Sequence, residues 1–281
     1  IRIKGFDKIN SIKPEKERLK PTLNFTQKHL HLAKRSVASK GYLEAITWSF
    51  TDEKINKFFL ENISPIRLSN PISSDLNVLR NSIYPNLIYY LKKNIDRGFE
   101  NLSLFEIGPT FHGKNPGQQK TVICGIKIGN VSEKNWNEED RVFDIFDIKK
   151  DTIQTLVELG LDRENVSIYV KTPQYYHPGK SGAIFPKNDQ KNIIAYFGEL
   201  HPSIIKDLDI KTNSIHGFEI FLDNLVNYKS KNKKIKSKIN ISDFQKSERD
   251  FAFVINKSFK SQDLVEVIVN VDRSLIQKVQ I

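Results

Sequence analysis

Apolar residues recur at three- and four-residue spacing between positions 26 and 40. Leu30, Ala33, Val37 and Ala38 fall on one face, which predicts a helix. Gly41 supplies the left-handed residue that ends it. The period then changes to two. Ile46, Trp48 and Phe50 alternate with Ala45, Thr47 and Ser49, which predicts a strand that buries those three apolar side chains. Thr51 or Asp52 is placed to cap a short helix reaching Phe59, and another strand is expected at 66–68. Next comes the run 68–87. Asn70-Pro71 makes a turn, and Ser73, Ser74 and Asp75 follow it. Leu76, Leu79 and Ile83 then lead into a helix that Pro85 opens and that runs to about Arg97. Arg80 stands inside this apolar spacing. Its residue type leaves two readings open, a guanidinium paired with a carboxylate at a domain surface or a functional group, because a buried arginine is rare unless paired.

A series of strands is expected at 102–107, 122–128, 143–148, 166–170, 182–185, 193–198 and 215–222. One helix is expected at about 150–159, stopped by Gly160. Many of the connections are short, which favours antiparallel pairing. Helices do not alternate strictly with strands, so the class is α+β and not a doubly wound sheet. After position 240 the pattern restarts, with a strand at 251–255, a helix capped by Ser261 or Asp263 and carrying Leu264, Val267, Ile268 and Val271, and a strand from Lys278. That β-α-β order is the first half of a split ferredoxin-like unit, too short to be stable alone. The expected organisation is a basic tail and connector (1–23, with Pro14 and Pro21), a main module (24–226), a linker (227–240) and the start of a second domain (241–281). The chain does not begin with Met, which leads to the expectation of a piece of a longer protein.

Charge changes this picture at one place. The 281 residues carry a formal +11, and 229–238 holds six lysines (Lys229, Lys231, Lys233, Lys234, Lys236 and Lys238) without an acid. Such a block repels itself and stays extended, as a spacer or as a contact for phosphates. No apolar run approaches the ~20 residues that span a bilayer, so no membrane partner is expected. Cys124 is the sole cysteine and sits among apolar residues, which suits a buried, inert thiol in a reducing compartment.

Candidate chemistry is sparse. Gly179-Lys180-Ser181 resembles the end of a phosphate-binding loop, but Gln174 stands where the earlier glycine belongs and a strand follows instead of a helix. The histidines lack metal-ligand spacing. His29 and His31, two apart on a helix, face different ways, while His177 and His201 each precede a proline and are expected in turns. No nucleophile–base pair or carboxylate pair has a forced geometry, so no catalytic residue and no metal ligand can be named. A binding role is what remains.

Six segments, in order, resemble the β subunit of bacterial phenylalanyl-tRNA synthetases. They are Lys40-Gly41-Tyr42-Leu43-Glu44-Ala45-Ile46-Thr47-Trp48-Ser49-Phe50; Leu68 to Asp75 followed by Leu79-Arg80-Asn81-Ser82 and Pro85-Asn86-Leu87; Leu104-Phe105-Glu106-Ile107-Gly108-Pro109; Tyr176-His177-Pro178-Gly179-Lys180-Ser181-Gly182; Gly198-Glu199-Leu200-His201-Pro202; and Ser247-Glu248-Arg249-Asp250-Phe251. The resemblance implies a class II aminoacyl-tRNA synthetase-like antiparallel sheet with flanking helices, then the start of a ferredoxin-like anticodon-binding domain. It also implies a cytoplasmic (αβ)2 assembly with a catalytic α subunit and tRNA(Phe). ATP and Mg2+ belong to the whole enzyme, and no cofactor is expected in this segment. In this reading residues 26–50 form a subunit interface. Tyr42, Trp48, Phe50, Asn70, Pro71, Arg80, Glu106 and His177 are interface or structural residues, and the six lysines with Arg249 contact tRNA. Adenylation in class II enzymes uses two arginines to hold phosphate charge. Residues 216–222 contain none, and Arg97 is the only candidate for the other, which implies a kept fold and lost chemistry. The alternative is a free-standing nucleic-acid-binding protein on the same scaffold, and a self-sufficient adenylating enzyme ranks far behind.

Overall fold

The computed structural model describes residues 2–13, 23–61, 63–132, 134–137, 139–226 and 244–281. The chain divides into two compact units, 1–232 and 233–281. The lysine block and most of the expected linker lie outside the described residues.

The first unit is built on one sheet. Helix α1 (Phe25–Ala38) starts at a capping box in which Asn24 and Gln27 satisfy each other's amides. Strand β1 (Leu43–Glu44) follows, then β2 (Phe50–Thr51), α2 (Glu53–Asn56) capped by Asp52, β3 (Ile66–Arg67), β4 (Val78–Leu79) and α3 (Tyr84–Ile95) with Pro85 in its first turn. The long strands β5 (Leu102–Phe111) and β6 (Gln119–Ile128) precede α4 (Ile145–Glu158). Strands β7 (Val166–Tyr169), β8 (Tyr176–Pro186) and β9 (Ala195–Leu200), helix α5 (Pro202–Asp207), strand β10 (His216–Phe221) and helix α6 (Leu222–Val226) complete the unit. The main sheet has the order β1-β5-β6-β10-β9-β8-β7, antiparallel except for the β1–β5 pair, and β2-β4-β3 form a small second sheet. Mixed α+β architecture around an antiparallel sheet is what the pattern predicted.

Side chains alternate across β6. Val122, Cys124, Ile126 and Ile128 pack with Ile83, Tyr84, Leu87 and Leu91 of the α3 side. Ile123 packs on the opposite side with Val37 of α1, Ile148 and Leu156 of α4, and Phe218 and Ile220 of β10. Gly125 is required at the centre of that second face. A Cβ there would stand 2.5 Å from Phe218 Cε1 and 3.2 Å from Tyr42 Cε1, so glycine makes room for two aromatic rings.

Several elements differ from the sequence pattern. Ile46 and Trp48 are 87% and 57% exposed, and 45–49 is a connector between two short strands in place of one strand with a buried apolar face. The Trp48 carbonyl is held by the Arg80 and Asn86 side chains and the Ser49 carbonyl by the Arg80 amide, which substitute there for sheet partners. Leu79 lies in β4, which pairs β2 and β3, and the helix begins at Tyr84 with Pro85 in its first turn, where the sequence pattern places its start. Residues 143–148 start a helix instead of a strand, because Asp144 accepts the Phe146 and Asp147 amides and Asp147 closes the capping box. Strand β5 runs on through Gly108-Pro109. Phe105 gives its carbonyl to Ala45 and Phe111 gives its amide to the Arg80 carbonyl. Residues of that parity, Pro109 included, therefore face away from β6, where a missing N–H costs no ladder bond. His177 lies in β8 and not in a turn.

In the second unit the expected helix is α7 (Ser261–Val271), preceded by Lys260 at the cap position without a side-chain hydrogen bond, so neither Ser261 nor Asp263 caps it. The expected strands at 251–255 and 278–281 are not formed, and no residue of α7 is buried. A strand takes its hydrogen bonds from a neighbour, and none pairs with them among the described residues. The described helices include none long and apolar enough to cross a membrane.

Candidate functional site

Arg80 follows β4 and is 1% exposed. Its Nη1 donates to Glu106 Oε1 at 2.7 Å and to Thr47 Oγ1 at 3.0 Å, while Nε donates to the Pro109 carbonyl at 3.0 Å. Nη1 also reaches the Trp48 carbonyl at 3.3 Å. Thr47 Oγ1 closes the ring by donating to Glu106 Oε2 at 2.6 Å. A buried ion pair is tolerated when further hydrogen bonds surround it, and here Nε, Nη1 and both Glu106 oxygens are engaged. Gly108 permits it, because a Cβ there would run into the guanidinium. The network fastens the 47–48 connector to β5 and leaves the arginine enclosed, facing no open site.

What this clamp presents is apolar. Leu43 (65% exposed), Ile46 and Trp48 project from one short segment on the edge of the main sheet. Asn86 Nδ2 adds donations to the Trp48 and Phe50 carbonyls at 3.0 Å each. Clustered apolar side chains held rigidly at a sheet edge mark an interaction surface, and tryptophan is the commonest energetic anchor of such surfaces. Phe50 itself is half-buried opposite Leu79, and Asn70 and Pro71 form an exposed turn.

A second buried polar centre lies on the α3 side. Ser82 Oγ and Tyr175 OH donate to the two Glu219 oxygens at 2.6 and 2.7 Å, and Tyr84 and Tyr176 share a hydroxyl–hydroxyl bond of 2.7 Å. Burial pushes the Glu219 carboxyl up to about 7, against the opposing pull of those two donors. Residues 216–222 and 223–226, the strand–helix end of the sheet, contain no arginine. A third centre lies on the α4 side, where Lys127 Nζ meets Asp151 Oδ2 at 2.8 Å and sits over the Tyr42 and Phe143 rings at 4.3 and 4.8 Å. Tyr42 OH donates to the same Asp151 oxygen at 3.0 Å, and burial followed by that carboxylate raises its pKa well above the usual phenol value.

The remaining sequence candidates scatter. His177 Nδ1 accepts the Gly179 amide at 3.0 Å within an irregular start of β8. Lys180, from the phosphate-loop-like run, pairs with Glu199 Oε2 at 2.8 Å across the sheet, which commits it to the fold. Arg97 is exposed behind the end of α3. Arg249 is exposed in the second unit and donates to the Glu248 carbonyl at 2.8 Å. Lys229, Lys231, Lys233, Lys234, Lys236 and Lys238 lie outside the described residues. Ser82, Glu219, Tyr175, Lys127 and Asp151 were not singled out from sequence. Glu219, a lone acid inside an apolar strand, carried the one readable signal of a buried partner. Among the described residues no group of three or more His, Cys, Asp or Glu is placed to hold a metal ion.

Comparison with known proteins gives a consistent result. The family described as "Phenylalanyl tRNA synthetase beta chain CLM domain" matches residues 9–222. The phenylalanine–tRNA ligase β subunit of Paramagnetospirillum magneticum is 36% identical over 282 residues, covering 100% of this chain and 35% of its own length. That of Rhodospirillum rubrum is 36% identical with the same coverage, and that of Bartonella henselae is 37% identical over 287 residues. The chain thus spans about a third (35%) of the length of the curated relatives it matches. Among solved structures, a pyrrolysyl-tRNA synthetase from Desulfitobacterium hafniense superposes with a TM-score of 0.54 at 13% identity, over 72% of this chain and 68% of that one. A second structure of that enzyme gives 0.52 at 14% identity, over 71% and 67%. At such identities the likeness speaks for the fold, which is that of class II synthetases.

Proposed function

This chain belongs to the phenylalanyl-tRNA synthetase β-chain family, and on that premise we propose that it is the catalytic-like module and following segment of a phenylalanine–tRNA ligase β subunit. The whole enzyme joins L-phenylalanine to tRNA(Phe) at the expense of ATP, with Mg2+, as an (αβ)2 assembly. ATP, Mg2+ and the activated amino acid belong to the α subunit, and this module is a scaffold that binds α and contacts tRNA. The observation that carries the reading is the apolar edge at Leu43, Ile46 and Trp48, whose 47–48 stretch is fastened to β5 by a buried arginine. Phosphoryl charge needs accessible guanidinium donors, and Arg80 is 1% exposed, with Nε and Nη1 turned to Glu106, Thr47 and two carbonyls.

The test pairs assembly with activity. The full-length β chain mixed with its α chain should charge tRNA(Phe) with phenylalanine; absence of charging by the pair would remove the ligase reading. Replacing Leu43, Ile46 and Trp48 together by serine is expected to weaken association with α by about tenfold to a hundredfold, because anchors of this kind contribute roughly 1–3 kcal/mol. The isolated variant should melt at the unmodified temperature, since all three side chains are exposed. Unchanged association measured by sedimentation would move the α-binding surface elsewhere.

The lysine block is proposed to meet tRNA phosphates. Each phosphate contact adds about 0.9 to the salt-dependence slope of binding. Changing the six lysines to serine should therefore lower the log–log slope of tRNA affinity against salt by about two to four contacts' worth. The same slope in the variant would make the block a spacer. Arg249 is proposed to face tRNA in the second unit, where it is exposed and donates to the Glu248 carbonyl; an Arg249→Ala chain with unaltered tRNA affinity would remove it.

A further inference from the structure

We propose that the outer face of α4 is a docking groove for an acidic amphipathic segment of another protein chain. Helix α4 has two apolar faces where folding needs one. Ile148 and Leu156 are buried against the sheet with Thr152 and Thr155 between them. Phe146 and Val157 stand at i and i+11 on the other side, where, with Ile153, which is half-buried between them and the sheet-side core, they line a groove of ≈ 490 Å³. Phe146 is 71% exposed and Val157 42%. The packing of this unit gives no reason for an aromatic ring and a β-branched side chain to stand in water at helical spacing.

The charge around the groove names its occupant. The acids of α4 are turned elsewhere and each is neutralised. Asp147 takes both arms of Arg141 at 2.7 and 2.8 Å, Asp151 takes Lys127 at 2.8 Å, and Glu158 takes Lys40 at 3.0 Å and the Ser36 hydroxyl. Lys149, Lys150 and Arg163 line the groove, with no acid among its described lining residues. An apolar floor with a cationic rim fits a helix that buries leucine-like side chains and sets carboxylates against the rim. A nucleic acid fits it less well. Its phosphates would satisfy the rim but press against Ile153 and Val157, which offer no hydrogen bond to replace lost water. The groove and the 43–48 edge are separate observations, so this inference stands apart from the ligase reading.

Three synthetic helical peptides test it on the full chain by fluorescence anisotropy. One carries leucines at i, i+4 and i+7 flanked by glutamates, a second replaces the glutamates by lysines, and a third replaces the leucines by serines. The first is expected to bind at least about tenfold more tightly than either control. The variant K149E/K150E/R163E should lose that binding and prefer the lysine peptide, whereas F146S/V157S should weaken the first peptide about tenfold without the preference changing sign. All the altered positions are exposed except the half-buried Lys149, and an unchanged melting curve checks that the variants fold. Equal affinity for all three peptides, or no effect of either variant, would overturn the proposal. Tighter binding of a single-stranded RNA oligonucleotide, lost in the same two variants, would overturn it in favour of nucleic acid.

Discussion

Arg80→Ala is expected to destabilise the 1–232 unit by about 3–5 kcal/mol, the usual result of removing one partner from a buried ion pair. The loss has two parts. Glu106, with its side chain 6% exposed, is left with a charge that only Thr47 still solvates. The carbonyls of Trp48 and Pro109 lose donors as well. Against a typical total of roughly 5–15 kcal/mol this is a large fraction, and the melting temperature should fall by about 10 °C for a unit of this size. Arg80→Lys should recover little, because an ammonium cannot reach Glu106, Thr47 and Pro109 from one plane as the guanidinium does. Combining Arg80→Met with Glu106→Gln should cost less than the two single changes added, since no charge is then stranded. Urea denaturation of Arg80→Ala, Arg80→Lys, the two singles Arg80→Met and Glu106→Gln, and their double measures this. Were Arg80→Ala to abolish charging while the urea midpoint and α-binding stayed put, the arginine would belong to the chemistry and not to the clamp.

Glu219→Gln should act in the opposite direction, increasingly as pH rises from 4.5 towards 7 and fully above that. The folded carboxyl titrates at about 7 against 4.5 when unfolded, so the folded state holds its proton more tightly. Stability from this group is fully present below about 4.5, declines as pH rises through 4.5 to 7, and is flat above. The whole difference is about 3 kcal/mol. Glutamine keeps the shape, accepts one of the Ser82 and Tyr175 hydrogen bonds, and cannot ionise. After about 1 kcal/mol for the lost acceptor, the variant is expected to be about 2 kcal/mol more stable at pH 8 and no more stable at pH 4. Denaturant midpoints at the two pH values decide it. A variant that is less stable at pH 8 would mean that Glu219 is held as an anion.

Some of this was legible and some was not. Helix α1 was readable because its apolar stripe and glycine stop agree locally, and α3 because Pro85 marks its first turn. The error at 143–148 arose from Val142, Phe143, Ile145 and Phe146, which look like a strand until Asp144 and Asp147 are recognised as a capping box. Ile46 and Trp48 were misjudged for a different reason. A period of two says that side chains alternate between faces, but not that either face is covered. The second unit failed at its strands and not at its helix, because a helix closes its hydrogen bonds within itself and a strand cannot.

The two polar centres sit at the far end of this scale. Ser82 and Glu219 are 137 residues apart, and Tyr42 and Asp151 109 apart, and no local pattern links them. The ordered segments around Arg80, Glu106 and His177 were enough to place the chain in its family, and the spacing of apolar residues was enough for the α+β class. Which arginine is enclosed, which carboxyl rises to about 7, and which tryptophan faces out were decided only when distant strands met. Burial and pairing are properties of that meeting: the energy of a charge depends on what surrounds it, and its surroundings come from elsewhere in the chain.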